Sequence, residues 1–482
     1  MARTSSVRPT APPRFHRAVW RWHFYAGLFV LPFIAWLAVT GAVYLYQKPI
    51  DRWVHHDLKV ATPMPSAQAA PSAHIAAVRA AGGGEVFRYT TPEQRDGSVE
   101  VGVIDSAGQR QVYYVDPWSS RVRGHLPEKG TFSGVVRRLH SLDLLGGQAS
   151  ALIEIAAGWA ILLVLTGVYL WWPRGQQGGI TRVRGRPGQR LFWRDLHAIT
   201  GVWVGLVLLF LALTGMPWSG VWGGQVNAWA NGRDFGYPAG VRVDVPMSGQ
   251  RLADTTQPAW SLQHAHLPRS TAPSPAHEGH EGHEGHEGHE GHEGLGGAGL
   301  GDLSPQPGAI GIDVAVARFT ALGMAPGYSV SLPRGATGVY SASVYPEAVR
   351  QQRVVHMDQY SGRVLLDMGY SDYGVAGRSL EWGINVHLGQ EYGTANRVIL
   401  LIACAGILLL CVSGMLMWWK RRPIGGLGVP PLPKQGRSVA GVFALLCIGG
   451  LVFPLVGLSL LVVGSLDFLM TRGWRVQGHP DG

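Results

Sequence analysis

Five stretches of this chain are apolar for long enough to cross a bilayer, which takes about 20 residues. They are roughly 24–46, 150–172, 198–219, 398–419 and 439–465. The first is too long for a cleaved leader, and no A-x-A site follows it closely, so it is predicted to remain as a span. Between spans the pattern changes. SVEVGVID and RQVYYVDP alternate apolar with polar positions as half-buried strands do. The turn Asp116-Pro117-Trp118-Ser119-Ser120 leads into RVRGHL, a further strand, while 75–79 reads as helix. Further on, a strand at 354–358, a turn at 359–362 and the return strand RVLLDM repeat the device. Each set predicts a small α+β module, a helix packed on an antiparallel sheet.

The spans repeat in register. His23 opens the first and is followed seventeen positions later by Thr40-Gly41; His197 opens the third and is followed at the same distance by Thr214-Gly215. A polar segment carrying a histidine precedes each of the second and fourth spans: FSGVVRRLHSLDLLGG with His140, and RSLEWGINVHLGQEYG with His387. Glycine stands six residues after each (Gly146, Gly393). Thr166-Gly167 and Ser413-Gly414 begin 26 residues after their histidines, and Trp171-Trp172 and Trp418-Trp419 begin 31 after. The chain therefore reads as a duplication of one unit, span, module, histidine segment, span, at about 20–174 and 194–422, with the fifth span added.

Charge gives a topology. Arg3, Arg8, Arg14, Arg17 and Arg21 precede the first span, Arg174, Arg182, Arg184, Arg186, Arg190 and Arg194 fill the link between spans two and three, and Lys420, Arg421, Arg422, Lys434 and Arg437 fill that between four and five. Asp195 is the one acid among them. By the positive-inside rule these segments are cytoplasmic. The net charge of +10 is accounted for in this way, without nucleic acid. The expected order is a cytoplasmic tail (1–20), TM1 (21–46), a periplasmic module (47–149), TM2 (150–172), a cytoplasmic loop (173–196) and TM3 (197–219). A second periplasmic module (220–397), TM4 (398–419), a cytoplasmic loop (420–438), TM5 (439–465) and a periplasmic tail (466–482) complete it. The fold class is thus a membrane all-α bundle, four helices from an internal duplication plus a fifth span, with two periplasmic α+β modules. In a bacterium the outer side is the periplasm, and the expected setting is the inner membrane, with the N-terminus cytoplasmic.

Cys404, Cys411 and Cys447 all fall in apolar spans, so no disulfide framework and no C-x-x-C-H haem attachment is present. No G-x-G-x-x-G after a strand, no Walker A and no flavin-reductase segment is visible; the chain offers no nicotinamide or flavin site. The tract 277–294, HEGHEGHEGHEGHEGHEG, has no apolar residue and cannot pack a core. Its His277, His280, His283, His286, His289 and His292 are candidate ligands for a divalent metal, against the plainer reading of a low-complexity expansion.

Ionisable residues at spans are functional candidates by default. The topology sorts the four framed histidines into two pairs, His23 with His197 at the cytoplasmic side and His140 with His387 at the outer side. Opposed neutral imidazoles across an apolar bundle make a bis-histidine haem site. Two such sites would form a path for electrons across the membrane. His16 and His125 lie near spans but lack repeat partners. Arg137 and Arg138, beside His140, suit haem propionates or interfacial anchoring. Asp143 and Glu391, three and four residues after their histidines, are placed to orient the imidazoles. Glu154 is a possible proton or metal site or a snorkelling helix-end residue, and Trp218, Trp222, Trp229 and Arg378 are candidates for the neighbourhood of the outer site.

RFHRAVWRWHFYAGL at 14–28, VYYVDPWSSRV at 112–122, RRLHSLDLL at 137–145, TGVYLWWPR at 166–174, WRDLHAITG at 193–201 and INVHLGQEYG at 384–393 together resemble the PepSY-associated transmembrane helix proteins. That family includes the PiuB- and FoxB-type inner-membrane reductases of iron-siderophore uptake. The resemblance covers about 15–422 and implies PepSY-like modules, two b-type haems ligated by His23, His140, His197 and His387, and reduction of ferric iron or ferric siderophore in the periplasm. Electrons would come from quinol or a cytoplasmic reductase. The histidine tract and the fifth span depart from it. Two other readings compete: a metal-binding or transport protein collecting metal on its histidine tract, and a non-catalytic regulator whose modules bind another protein.

Overall fold

The computed structural model describes residues 14–172, 182–231, 247–255, 258–263, 265–272, 305–423 and 436–476. The tract 277–294, with His277, His280, His283, His286, His289 and His292, lies outside them. In chain order the helices are α1 (Arg14–Tyr44), α2 (Gln47–Val54), α3 (His56–Lys59), α4 (Pro71–Ala80), α5 (Phe132–His140), α6 (Gly147–Trp171), α7 (Arg190–Gly215) and α8 (Trp222–Asn231). Then come α9 (Leu252–Thr255), α10 (Gly311–Ala321), α11 (Val375–His387), α12 (Gly393–Trp419), α13 (Gly436–Val452) and α14 (Pro454–Val476). The strands are β1 (Glu85–Thr90), β2 (Val99–Ile104), β3 (Arg110–Val115), β4 (Val122–Pro127), β5 (Met247–Arg251), β6 (His266–Pro268), β7 (Ser329–Ser331), β8 (Val339–Val344), β9 (Arg353–Asp358) and β10 (Val364–Gly369).

The chain divides into two compact units, one of 1–47, 133–229 and 383–482, the other of 48–132 and 230–382. The first is a helical bundle. Among the described residues four helices are long and apolar enough to cross a membrane, lying in α1, α6, α7 (continuing to Trp218) and α12. They pack in a ring, α1 on α6, α6 on α7, α7 on α12 and α12 on α1. Val30, Ile34, Ala156, Trp159, Ala160, Cys404 and Ile407 are buried in its core, while Trp203, Leu206, Ile402 and Leu165 face outward, as a bundle solvated by lipid requires. The helices outrun the apolar stretches: α7 begins at Arg190, seven residues before the expected start, and α12 at Gly393.

The expected fifth span, 439–465, is instead two helices broken at Phe453-Pro454, and the expected tail from 466 is helical to Val476. Proline lacks the N–H that would continue the helix. Glycine completes the reversal. A Cβ on Gly450 would stand 2.7 Å from the Cα of Gly457, so the backbones touch. In one straight helix residues seven apart are about 10 Å apart. Both helices pack on the ring, α13 against α1 and α14 against α6. Trp159 donates its indole N–H to Ser459 (2.9 Å).

The second unit contains one eight-stranded antiparallel sheet, in the order β10-β9-β8-β7-β1-β2-β3-β4. The two α+β modules read from the sequence are its halves, each a helix followed by four strands, joined where β1 pairs with β7 (Tyr89 opposite Val330). Helices α4 and α10 cover one face over Ile75, Val78, Val101, Val103, Phe319, Ala342 and Met357. On the other face Leu252, Leu262 and Leu267 pack against Val354, Leu366 and Met368. The matched turns have one cause. Asp116 Oδ1 accepts the N–H groups of Trp118 and Ser119, and Asp358 Oδ1 those of Tyr360 and Ser361.

A second tie joins the halves. The Asp313 carboxylate, in the first turn of α10, accepts the backbone N–H (2.7 Å) and hydroxyl (2.6 Å) of Ser72 and so caps α4. Loss of a cap costs about 1 kcal/mol. Asp313→Ala is therefore expected to destabilise this unit by about that amount, read as faster hydrogen exchange in α4 and β1 of the full chain. Unchanged exchange would show the cap to be idle.

Candidate functional site

The four framed histidines belong to the helical unit. His23 and His197 lie on α1 and α7, which are not neighbours in the ring, and they are close enough to interact electrostatically. His140 and His387 are the last residues of α5 and α11, and they too lie within electrostatic reach of each other. The helical unit thus brings His23 near His197 and His140 near His387.

Each imidazole is held the same way. His23 Nδ1 meets Thr166 Oγ1 at 2.9 Å, His140 Nδ1 meets Thr40 Oγ1 at 2.8 Å, His197 Nδ1 meets Ser413 Oγ at 3.0 Å and His387 Nδ1 meets Thr214 Oγ1 at 2.9 Å. The hydroxyls are already spent as donors. Thr40, Thr166 and Thr214 donate to the carbonyls of Trp36, Leu162 and Phe210 one turn back, and Ser413 to that of Leu410. A hydroxyl has one hydrogen, so it accepts from the imidazole and the ring proton sits on Nδ1. Nε2 then carries a lone pair, and among the described residues none of the four Nε2 atoms makes a hydrogen bond. The residue after each hydroxyl is glycine. A Cβ on Gly167, Gly41, Gly414 or Gly215 would lie 3.3, 3.5, 3.6 or 3.3 Å from Cε1 of His23, His140, His197 or His387, so each ring rests on bare backbone. Burial lowers the proton affinity of His140 and His387 to about pKa 4, with the nearby His140 contributing for His387. Both are neutral across the physiological range.

Imidazoles brought in pairs within electrostatic reach, with Nδ1–H anchored and Nε2 free, could serve as the donor set of a bis-histidine haem, and an anchored Nδ1–H is the usual support of a metal-bound histidine. Two buried donors await acceptors nearby. Arg138 Nε, two residues before His140, makes no hydrogen bond, although Asp143 stands 3.6 Å away; Trp171 Nε1, one turn beyond Gly167 on α6, makes none either. Such atoms suit the carboxylates of a haem edge. Arg137 is exposed.

Several sequence expectations are corrected. Asp143 and Glu391 do not orient the imidazoles, since Thr40 and Thr214 occupy Nδ1; Asp143 pairs with Arg138, and Glu391 accepts from Asn385 (2.8 Å). Glu154 is neither a metal site nor a snorkelling residue. It is 3 % exposed and its carboxylate accepts the N–H groups of Val221 and Trp222, capping α8. His125 lies on β4 in the sheet unit, stacked on Tyr113, while Arg378 stands on α11, nine residues before His387. Trp222 packs on Phe453, Trp218 and Trp229 are exposed, and His16 lies beside Tyr169. Asp195, unremarked beyond its charge, is buried two residues before His197 and paired with Arg184 (2.7 Å) and Arg194 (2.9 Å). The hydroxyl–glycine pairs were visible as frame markers, but their role as supports appears only when the helices are packed.

No curated protein matches the chain. The profile of the PepSY-associated TM region matches residues 20–421, a span that takes in both histidine pairs, all four hydroxyl–glycine supports and the whole eight-stranded sheet. The chain is a membrane protein and belongs to the PepSY-associated transmembrane family.

Proposed function

We propose that this protein is a di-haem electron carrier of the PiuB and FoxB kind, set in a bacterial inner membrane, that reduces ferric chelates, siderophore complexes among them, on the periplasmic side. The observation that carries the reading is the fourfold arrangement of a histidine whose Nδ1 rests on a hydroxyl and whose ring rests on a glycine, repeated as two pairs. His23 with His197, and His140 with His387, would each hold one haem b. Bound haem iron supplies one-electron chemistry by alternating between ferric and ferrous.

The chain's own residues set the conditions. Thr166, Ser413, Thr40 and Thr214 hold the tautomer that leaves Nε2 free, and the paired glycines let each ring rest its Cε1 edge against the helix backbone. Arg138 and Trp171 offer donors to carboxylates. The apolar ring of α1, α6, α7 and α12 excludes water between the two levels. The substrate follows from the family and from coordination chemistry. Hard oxygen donors hold ferric iron more tightly than ferrous, so its reduction loosens a siderophore's grip. Purified protein is expected to show two b-type haems per chain with low-spin bis-histidine absorption. A colourless folded protein, made with ample haem, would overturn the reading.

A further inference from the structure

The carbonyl just before each outer-pair histidine accepts two hydrogen bonds. Leu139 O takes the backbone N–H of Leu142 (3.1 Å) and the indole N–H of Trp36 on α1 (2.7 Å). Val386 O takes the backbone N–H of Gly389 (3.0 Å) and the side-chain N–H of Asn396 on α12 (2.9 Å). The backbone bonds close the last turns of α5 and α11, at matched positions where Leu142 (φ 56°) and Gly389 (φ 70°) both turn left-handed. The side-chain bonds fasten those turns to a membrane helix.

The two fastenings are not copies of one another. At the spacing that carries Thr40 onto Thr214, Trp36 falls on Phe210, whose side chain has no N–H. At the spacing that carries His140 onto His387, Asn396 falls on Ala149, whose side chain has no donor either. Two different side chains from two different helices reach the equivalent carbonyl. Such convergence points to a demand at that atom rather than to a packing accident of the duplication. The demand is evident from the local structure. Helix α5 has nine residues, too few to hold itself rigid, yet its last residue presents an imidazole whose use depends on placement to about 0.5 Å. A hydroxyl on Nδ1 fixes the ring; a donor on the preceding carbonyl fixes the peptide from which the ring hangs.

We propose that Trp36 and Asn396 are positioning residues that aim His140 and His387, a role that rests on the haem-ligand reading of those histidines. The test uses the full chain in lipid nanodiscs, with Trp36→Phe and Asn396→Leu, two readouts and an internal control. Hydrogen exchange at the end of α5 in the first variant, and of α11 in the second, is expected to quicken about tenfold at unchanged thermal midpoint. The low-spin electron paramagnetic resonance signal of the His140/His387 haem is expected to shift, because it reports the angle between ligand planes, while that of the His23/His197 haem stays put. Faster exchange without a spectral shift would make the bonds merely structural and overturn the positioning role. Unchanged exchange would overturn it too. A wild-type protein without haem would overturn the ligand reading itself, whereas two normal haems with unshifted variants would overturn the positioning role alone.

Discussion

With His387 replaced by Ala, the purified chain is expected to carry one haem instead of two, to keep that haem reducible, and to lose reduction of external ferric chelate to background. Geometry carries the expectation. The imidazole sits at the end of α11 on Thr214, within reach of His140 and at the opposite end of α7 from His197. Between His197 and Thr214, seventeen residues of helix rise about 26 Å, far beyond the span of one haem's axial ligands. Removing His387 should therefore leave the His23/His197 pair whole. His23→Ala should give the mirror result: the remaining haem oxidises when ferric substrate meets chemically reduced protein, but no longer receives electrons from the other side. The two variants' haem spectra, compared with their sum in the wild type, decide the matter. Loss of the same haem from His23→Ala and His140→Ala would show the pairing to be wrong.

Gly215→Leu is expected to do nearly as much damage without touching a ligand. A Cβ there already approaches His387 Cε1 at 3.3 Å, and the rest of a leucine has nowhere to go but the imidazole's place. Overpacking of this kind costs about 1–3 kcal/mol, and a displaced ligand lowers metal affinity roughly 10–100-fold. The expected outcome is a folded protein with its His23/His197 haem full and the other largely empty at limiting haem. Gly220→Ala is the control, since a Cβ there meets nothing within 4 Å. Thr214→Val, which keeps the shape and removes the acceptor, should fall between them. Equal haem retention in Gly215→Leu and Gly220→Ala would remove the supports from the argument.

What could be read beforehand was whatever is written locally. Apolar runs marked four spans, alternation marked β2, β3, β4, β9 and β10, and the Asp116 turn betrayed itself by residue type. Glycine six residues after each histidine was seen as spacing, and its cause is conformational: Gly146 and Gly393 both have positive φ where the chain enters α6 and α12. Long-range choices were not legible. Nothing in β1 or in the three-residue β7 announces that they pair and fuse two modules into one sheet. Length and hydropathy made 439–465 a span; Pro454 ends the first helix, and the contact of Gly450 with Gly457 shows that the chain reverses there. Charge at the right helical spacing nominated Asp143 and Glu391, whereas the supports come from threonines 100 and 173 residues away in sequence.

The reciprocal placing of histidine and hydroxyl also sets a schedule for synthesis. Thr166 supports His23 within the first repeat, but Ser413, which supports His197, is on the last helix of the ring. His140 finds Thr40 early, yet its partner His387 and that partner's anchor Asn396 are the products of the second repeat. A ribosome that has made only the first half has thus made two half-sites, each with a single prepared imidazole and no opposite number. Neither can grip a flat macrocycle from both faces. On the haem reading proposed above, the cofactor would be captured only once α12, which carries Ser413 and Asn396, is in place, and a chain ending after the first repeat would emerge without it.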